Sequence, residues 1–290
     1  MVFYKPVRWL VPARLLFPQC CVCRLLQVSF LSGNSMLGTE EFVILVALFL
    51  VSTLYSSVGH GGASGYLAVL SLTSYGSLES VWLKQHAWSL NLVVASIAFL
   101  HYYREDFHDF RLSWPFIIAS IPMAIIGGYL AVDGVFYDTL LSIALILAAI
   151  RLLQIKDLGE GLTINRPSMQ TALPVGGSIG LFSGMVGVGG GVFLSPIIML
   201  KKWANPKTAA ATAALFIWLN SAAGLFGVAA SKRLALDFSV LGPFVIVVLL
   251  GGFIGSRFGS MIASQITVRR LLVVVLIVAA AKRIFDMLGL

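Results

Sequence analysis

Two glycine clusters are the strongest chemical feature of the sequence. The first is VGHGGAS, with Gly59, His60, Gly61, Gly62 and Ser64, and the second is VGVGGGV, with Gly187, Gly189, Gly190 and Gly191. Several adjacent glycines break a helix, because each costs about 1 kcal/mol relative to alanine. The N–H groups that begin the next helix can bind an anion, which the positive end of the helix dipole also attracts. The two clusters are therefore the predicted substrate-binding site for an anion.

Other interpretations of the clusters lead to different classes of protein. A dinucleotide-binding fingerprint needs a strand before it and a helix after it in a soluble unit, whereas both clusters are flanked by long apolar segments. The sequence has no G-x-x-x-x-G-K-[ST] motif for ATP, and we expect no cofactor. The strongest alternative is that the glycines only allow helices to pack closely, as small residues do in membranes.

Polar side chains inside apolar segments are the second group of candidates. They are Gln85, His86 and Asn91 in the first half and Thr212 and Asn220 in the second. Such residues are costly at membrane depth, so each is a predicted substrate-binding residue. For the paired asparagines, interhelical hydrogen bonding is the alternative. His60 corresponds to the apolar Val188, which favours a role with the substrate or a proton, although a structural histidine remains the alternative. No metal site is expected, since no Cys, Asp or Glu accompanies His60 in a ligand pattern.

Helical spacing relates some of these side chains. Lys84 and Asn91 are seven residues apart and share a helix face, and Thr212 and Asn220 lie roughly on one face. For Lys84 we favour an ammonium group that reaches the membrane interface beside Glu79.

The composition identifies the environment in which these residues work. Of 290 residues, 59% are hydrophobic and 11% are charged, and the mean hydropathy is +0.95. Apolar runs lie at about 40–58, 63–75, 83–103, 113–132, 138–153, 171–187, 190–200, 208–230, 239–261 and 270–288. Most of these can cross a hydrocarbon core of about 30 Å as helices. The sequence therefore predicts an all-α polytopic integral membrane protein and excludes soluble enzymes and nucleic-acid-binding modules.

The two halves of the sequence repeat each other. Asp109 and Phe110 recur 128 residues later as Asp237 and Phe238, at the same offset as the glycine clusters, and Asn91 corresponds to Asn220 after one insertion. If each half consists of a glycine-broken hairpin followed by three crossings, the number of crossings is odd and the halves are inverted. Inverted repeats around a central site are typical of secondary transporters. The prediction is therefore two inverted repeats of about five apolar segments each.

The charges predict the organisation and orientation of the chain. We expect a basic leader at 1–35 outside the fold, a first repeat at 36–153, a linker at 154–170 and a second repeat at 171–290. With the acidic loop 133–138 outside, eleven Lys and Arg residues from position 36 onward lie on the linker side and five on the opposite side. Because positive loops stay in the cytoplasm, the linker is predicted to be cytoplasmic. The leader contains Cys20, Cys21 and Cys23, and Met36 is a candidate for the natural start.

The paired glycine motifs and the NPKTAAATAALFIWLN stretch after the second one resemble the TauE/SafE sulfite exporter family, also called toluene-sulfonate uptake permeases. The resemblance covers about residues 40–288. It implies a membrane permease for small sulfur-containing anions such as sulfite, thiosulfate or organosulfonates. The first half departs from the usual pattern, because GHGGASGYLAVL has His60 and lacks a proline equivalent to Pro196.

These observations together predict a multi-pass secondary transporter of the cell membrane. Its expected partners are a small anion and the lipid bilayer, with no nucleic acid, and proton coupling through His60 is one hypothesis. An anion channel of the same architecture is the main alternative. An intramembrane enzyme is less favoured, because the sequence lacks H-E-x-x-H, G-x-S-x-G and paired intramembrane Asp residues.

Overall fold

The computed structural model describes residues 38–130 and 165–262, together with helical positions 139, 142, 143, 146 and 150. Residues 1–41 form one unit, of which positions 38–41 are described, and residues 42–290 form another. The described residues are helical and contain no β-strand. The predicted leader and most of the predicted linker lie outside the described residues.

Eight α-helices and one 3₁₀ turn occur within this part of the chain. They are α1 (Thr39–Ser56), α2 (Ala63–Ser71), the 3₁₀ turn (Ser74–Ser77), α3 (Ser80–Arg104), α4 (Phe110–Tyr129), α5 (Met169–Val186), α6 (Gly191–Leu200), α7 (Pro206–Ala230) and α8 (Phe238–Met261). The same order occurs twice: a long helix, a glycine turn, a short helix and two long helices. Eight of the ten predicted apolar segments are confirmed as helices, and the segments at 138–153 and 270–288 lie outside the continuously described residues.

The surface of these helices is suited to lipid. Four of the described helices, α1, α4, α7 and α8, are long and apolar enough to cross a membrane. Large apolar side chains stand exposed on them, including Phe226 at 63%, Phe238 at 76% and Ile246 at 62%. Such an exposed apolar surface is stable only in a hydrocarbon environment. The protein is therefore an integral membrane protein with several spanning helices.

Side-chain caps define the N-terminal ends of three helices, α4, α7 and α8. Asp109 Oδ1 accepts a hydrogen bond from the Arg111 N–H at 2.9 Å, and Asp237 Oδ1 accepts one from the Ser239 N–H at 3.0 Å. The hydroxyl group of Ser239 donates to the same oxygen, and the two hydrogen bonds from Ser239 hold the pKa of Asp237 below its usual range. Asn205 Oδ1 caps α7 in the same way through Thr208 N–H at 2.8 Å. A cap of this kind contributes about 1 kcal/mol, so the polar ends of these helices are fixed locally by the sequence.

The centre of the molecule is the contact between α3 and α7. Their contacts run in opposite directions: Tyr102 packs with Ala210 at one end, Ala95 packs with Ala213 in the middle, and Trp88 packs with Val228 at the other end. The two helices are therefore antiparallel. α4 packs on α5 and α7, and α8 packs on α3.

Candidate functional site

Both glycine clusters form turns with the same backbone design. Gly62 precedes α2 with φ of 100°, and Gly190 precedes α6 with φ of 79°. These left-handed conformations are open to glycine and unfavourable for residues with a Cβ. Gly59 and Gly187 also have positive φ, but their N–H groups close the preceding turns on Ser56 O and Ser183 O. The positions that can present N–H groups are therefore the later glycines of each cluster.

The residues that precede these two helices, Gly62 and Gly190, provide no side-chain cap, although both starts are buried. The N–H groups of Gly61, Gly62, Gly189 and Gly190 have no hydrogen-bond partner among the described residues. The uncapped starts of α3 and α5 differ, because Glu79 and Ser168 are exposed and water can satisfy their N–H groups. Two buried helix N-termini with free N–H groups are a favourable environment for negative charge.

Asn91 brings the two turns together. Its Oδ1 accepts a hydrogen bond from Ala63 N–H at 3.2 Å, and its Nδ2 donates to Ser221 Oγ at 2.8 Å. A Cβ added at Gly61 would collide with Oδ1 of Asn91, and a Cβ added at Gly189 would collide with its Nδ2. The amide therefore lies between the first turn and the second, close to the midpoints of α3 and α7.

His60 and Ser64 belong to the first turn. His60 is buried, and its Nε2 lies 3.2 Å from the carbonyl oxygen of Gly191, the first residue of α6. Because a carbonyl oxygen only accepts hydrogen bonds, Nε2 carries the proton and Nδ1 is the acceptor in a neutral ring. Nδ1 is buried without a hydrogen-bond partner among the described residues. Ser64 Oγ donates to the hydroxyl oxygen of Tyr55 at 2.9 Å, so both predicted residues lie at the site.

Lys84 lies beside the second turn, where the sequence did not place it. The side chain is completely buried, and Nζ donates to Met185 O at 3.3 Å, in the last turn of α5. A Cβ added at Gly187 would lie 2.7 Å from Lys84 Cγ. The prediction that this lysine reaches the membrane interface is wrong. The reason is that the second glycine turn packs on this face of α3, and the carbonyl oxygen of Met185 accepts a hydrogen bond from the amino group.

Gln85 and His86 are not brought to the glycine turns. Gln85 Oε1 accepts a hydrogen bond from Ala235 N–H at 2.8 Å, and His86 Nε2 accepts one from Asp237 N–H at 3.1 Å. Both side chains therefore hold the segment that connects α7 to α8. These hydrogen bonds join α3 to a connecting segment and direct neither side chain towards the glycine turns.

Thr212 and Asn220 lie between α4 and α7. Thr212 Oγ1 accepts a hydrogen bond from Ser113 Oγ at 3.2 Å, and Asn220 Nδ2 donates to Ser120 Oγ at 3.1 Å. Although Asn91 and Asn220 occupy related places in the two repeats, Asn91 contacts the glycine turns and Asn220 faces α4.

Some residues at the site had no signal in the sequence analysis. Ser221 supports Asn91, and Tyr66 donates from its hydroxyl group to Gly61 O at 2.8 Å. The contact of Ser221 depends on the packing of separate segments, so the sequence could not predict it. Tyr66 is close to the first cluster in the sequence, and this short separation could have identified it. No group of His, Cys, Asp and Glu residues suited to a metal ion occurs within the described ranges.

Comparisons with known proteins identify a family and a relative of this chain. The family described as sulfite exporter TauE/SafE matches residues 44–283. A relative from Sinorhizobium fredii (strain NBRC 101917 / NGR234), described as probable membrane transporter protein y4hK, is 33% identical over 249 residues. That alignment covers 85% of this chain and 99% of the relative. No solved structure matches the chain.

The family match spans α2 to α8 entirely and includes both glycine turns and Asn91. It confirms the resemblance predicted from the paired glycine motifs, and both the family and the relative are described as exporters or membrane transporters rather than enzymes. The chain therefore belongs to the TauE/SafE family of membrane transporters.

Proposed function

We propose that the protein is a secondary transporter of a small sulfur-containing anion such as sulfite, thiosulfate or an organosulfonate. The observation that carries the proposal is the meeting of two buried helix N-termini at Asn91, beside the free N–H groups of the glycines that precede each helix. Each N-terminus contributes about half a positive charge. Two of them together match the charge of a monoanion.

The substrate site in this proposal is smaller than the set predicted from the sequence. The free N–H groups of Gly61, Gly62, Gly189 and Gly190 would bind the oxygen atoms of the anion. Asn91 would position the two turns relative to each other, and Lys84 adds a buried amino group beside the second turn. Ser64 and Gly191 would support the turns, whereas Gln85, His86, Thr212 and Asn220 act elsewhere in the protein.

His60 is the group that we propose for proton coupling. Protonation of the ring would convert Nδ1 from an unpartnered acceptor into a donor beside the first turn. A proton and an anion would then enter the site together, because each stabilises the other. Inverted repeats in the cell membrane, with the linker in the cytoplasm, would expose this site to the two sides alternately.

Uptake into proteoliposomes tests the function. Purified protein is reconstituted, and accumulation of labelled sulfite, thiosulfate and methanesulfonate is measured with and without an imposed pH gradient. We expect saturable uptake of at least one of these anions and no uptake in protein-free liposomes. Absence of uptake for all three, in either direction of the gradient, would contradict the proposal.

The channel alternative is separated by electrical recording on the same preparation. A carrier moves ions at conformational rates, whereas an open pore conducts far faster than conformational cycling allows. Single-channel current steps in a planar bilayer would therefore favour an anion channel over a secondary transporter.

A further inference from the structure

The turns that carry the free N–H groups are buried, so an anion needs a route to them. A pocket of about 520 Å³ lies between residues 106–109 and the start of α7. Its wall includes Asp109, Arg166, Asn205 and Thr208, and Arg166 Nη2 and Asp109 Oδ2 form an ion pair at 2.7 Å. Because Arg166 directly precedes α5 at the end of the linker, the pocket is on the linker side of the molecule.

A line of polar side chains extends from this pocket into the protein. We call it the polar seam; it consists of Ser113 and Ser120 on α4 and Thr212 and Asn220 on α7, all completely buried. Twelve residues separate Thr208, in the pocket wall, from Asn220. At 1.5 Å per residue this is about 18 Å. The polar seam therefore leads from the pocket past the middle of a hydrocarbon core of about 30 Å.

The inner end of the polar seam reaches the second glycine turn. A Cβ added at Gly180 would collide with the backbone of Ser120, and one added at Gly190 would lie 3.3 Å from Ser183 Cβ. Ser183 follows Gly180 by three residues in α5 and therefore lies beside the second turn, about one helical turn from the contact with Ser120. Its Oγ and the Oδ1 of Asn220 are buried without a partner among the described residues.

Interhelical hydrogen bonding alone does not explain these polar side chains. An unsatisfied buried polar atom is unfavourable, so such an atom normally bonds to water or a ligand. The residues 128 positions after Ser113 and Ser120 are Leu241 and Val248, which are buried in an apolar core cluster. The repeated scaffold therefore does not require serine at these positions.

At the opposite end of α4 and α7, the described segments pack closely against one another. The segment before α8, which corresponds to the pocket segment before α4, is held to α3 by Gln85 and His86. On the same side, α4 and α7 meet so closely that a Cβ at Gly128 would collide with Gly224 O. α4 and α7 are therefore in direct backbone contact at the end opposite the pocket.

We propose that the pocket and the polar seam form a hydrated access route by which the anion moves between the linker side and the second glycine turn. This inference rests on the proposed function. It assigns the pocket with the Asp109–Arg166 ion pair as the entrance of the route on the linker side. Thr212 and Asn220 then have a role in access instead of in the central site.

Cysteine accessibility tests the route. In a background with Cys20, Cys21 and Cys23 replaced by Ser, the variants Ser113→Cys and Ser120→Cys are compared with Leu241→Cys and Val248→Cys. The probe is the anionic reagent sulfonatoethyl methanethiosulfonate, added to reconstituted protein from each side in turn. When the reagent is added from the linker side, we expect the seam cysteines to react at least tenfold faster than the two repeat-related controls. We also expect methanesulfonate to slow this reaction.

Transport by each variant before and after modification completes the experiment. Modification of Ser120→Cys should reduce its own uptake at least fivefold, since the attached group fills the route. Equal reaction rates at Ser120→Cys and Val248→Cys, with uptake intact, would overturn the route and leave the proposed function standing. A different outcome is that the seam cysteines react fast but the protein transports none of the three anions. This result would overturn both the proposed function and the use of the seam by the anion.

Discussion

At the residue scale, Asn91 determines how the two glycine turns are related. One side-chain amide accepts from the start of α2 and donates to α7, and both Gly61 and Gly189 approach it too closely for a side chain. A buried amide satisfied on both ends is specific in geometry, because each lost hydrogen bond leaves an unpaired group.

Replacing Asn91 with alanine should therefore reduce both stability and transport. The change leaves Ala63 N–H and Ser221 Oγ without their partner, at a cost of about 1–3 kcal/mol. Uptake should fall more than tenfold, and the midpoint of thermal unfolding in detergent should decrease. Ser89→Ala is the matched control, because Ser89 bonds only to Gln85 O within its own helix. Wild-type uptake by Asn91→Ala would contradict the positioning role.

His60→Gln should change the pH dependence of transport. In the wild type, uptake should increase as pH falls, because protonation adds a donor at Nδ1. Glutamine can keep one N–H for the carbonyl oxygen of Gly191 but cannot take up a proton, so the variant should have a flat profile and a lower rate. The measurement is initial uptake between about pH 5.5 and 7.5.

His101→Gln is the control for this experiment, since His101 bonds to Ser256 far from the glycine turns. It should keep the pH profile of the wild type. An unchanged profile in His60→Gln would show that His60 is structural, and His86 would be the next group to test.

At the element scale, the two short helices are fixed by their first residues. α2 and α6 are 9 and 10 residues long and begin in the protein interior, where an unsuitable N-terminal residue cannot be compensated by water. Their orientation therefore depends on the left-handed glycines that precede them.

Gly190→Ala should destabilise the protein. A Cβ there is strained by about 1–2 kcal/mol in the left-handed region, and it would lie 2.8 Å from Phe216 Cε1. Gly177→Ala is the matched control within α5, because its Cβ would meet only ordinary contacts at 3.6 Å or more. The control should be neutral or more stable by up to about 1 kcal/mol. Thermal unfolding measures both variants, and equal midpoints would argue against strain at the second turn.

At the scale of the whole molecule, the direction of the helices sets the two faces. The antiparallel contact of α3 with α7 places the pocket segment and the segment before α8 at opposite ends. Positive residues are expected to be more frequent on the cytoplasmic side.

Side-specific labelling should distinguish these faces. Lys202 and Lys232 are a matched pair, because both are exposed and have φ of 56° and 57°. In the background without native cysteines, a membrane-impermeant maleimide added outside cells should label Lys232→Cys and not Lys202→Cys. The reverse pattern would invert the orientation, and labelling of both would contradict the inverted-repeat prediction.

The sequence alone determined the membrane environment and the helical segments of this protein. Apolar length specifies a membrane helix wherever it occurs, and glycine clusters interrupt a helix because of local backbone energetics. For the same reason Asp109 and Asp237 could be matched across the repeats, and both are helix caps. These features depend on residues close together in the chain, so a pattern in the sequence is sufficient to predict them.

Only the tertiary structure decided which polar side chains meet. Helical spacing predicts that Lys84 and Asn91 share one face of α3, but it does not predict which segment packs on that face. The second glycine turn packs there and buries Lys84. Asn91 and Asn220 have the same side chain in related positions, yet one contacts both turns and the other Ser120. A repeat preserves the position of a residue within its own half. The partner comes from the other half, whose side chains differ, so the function of each asparagine is set by long-range packing.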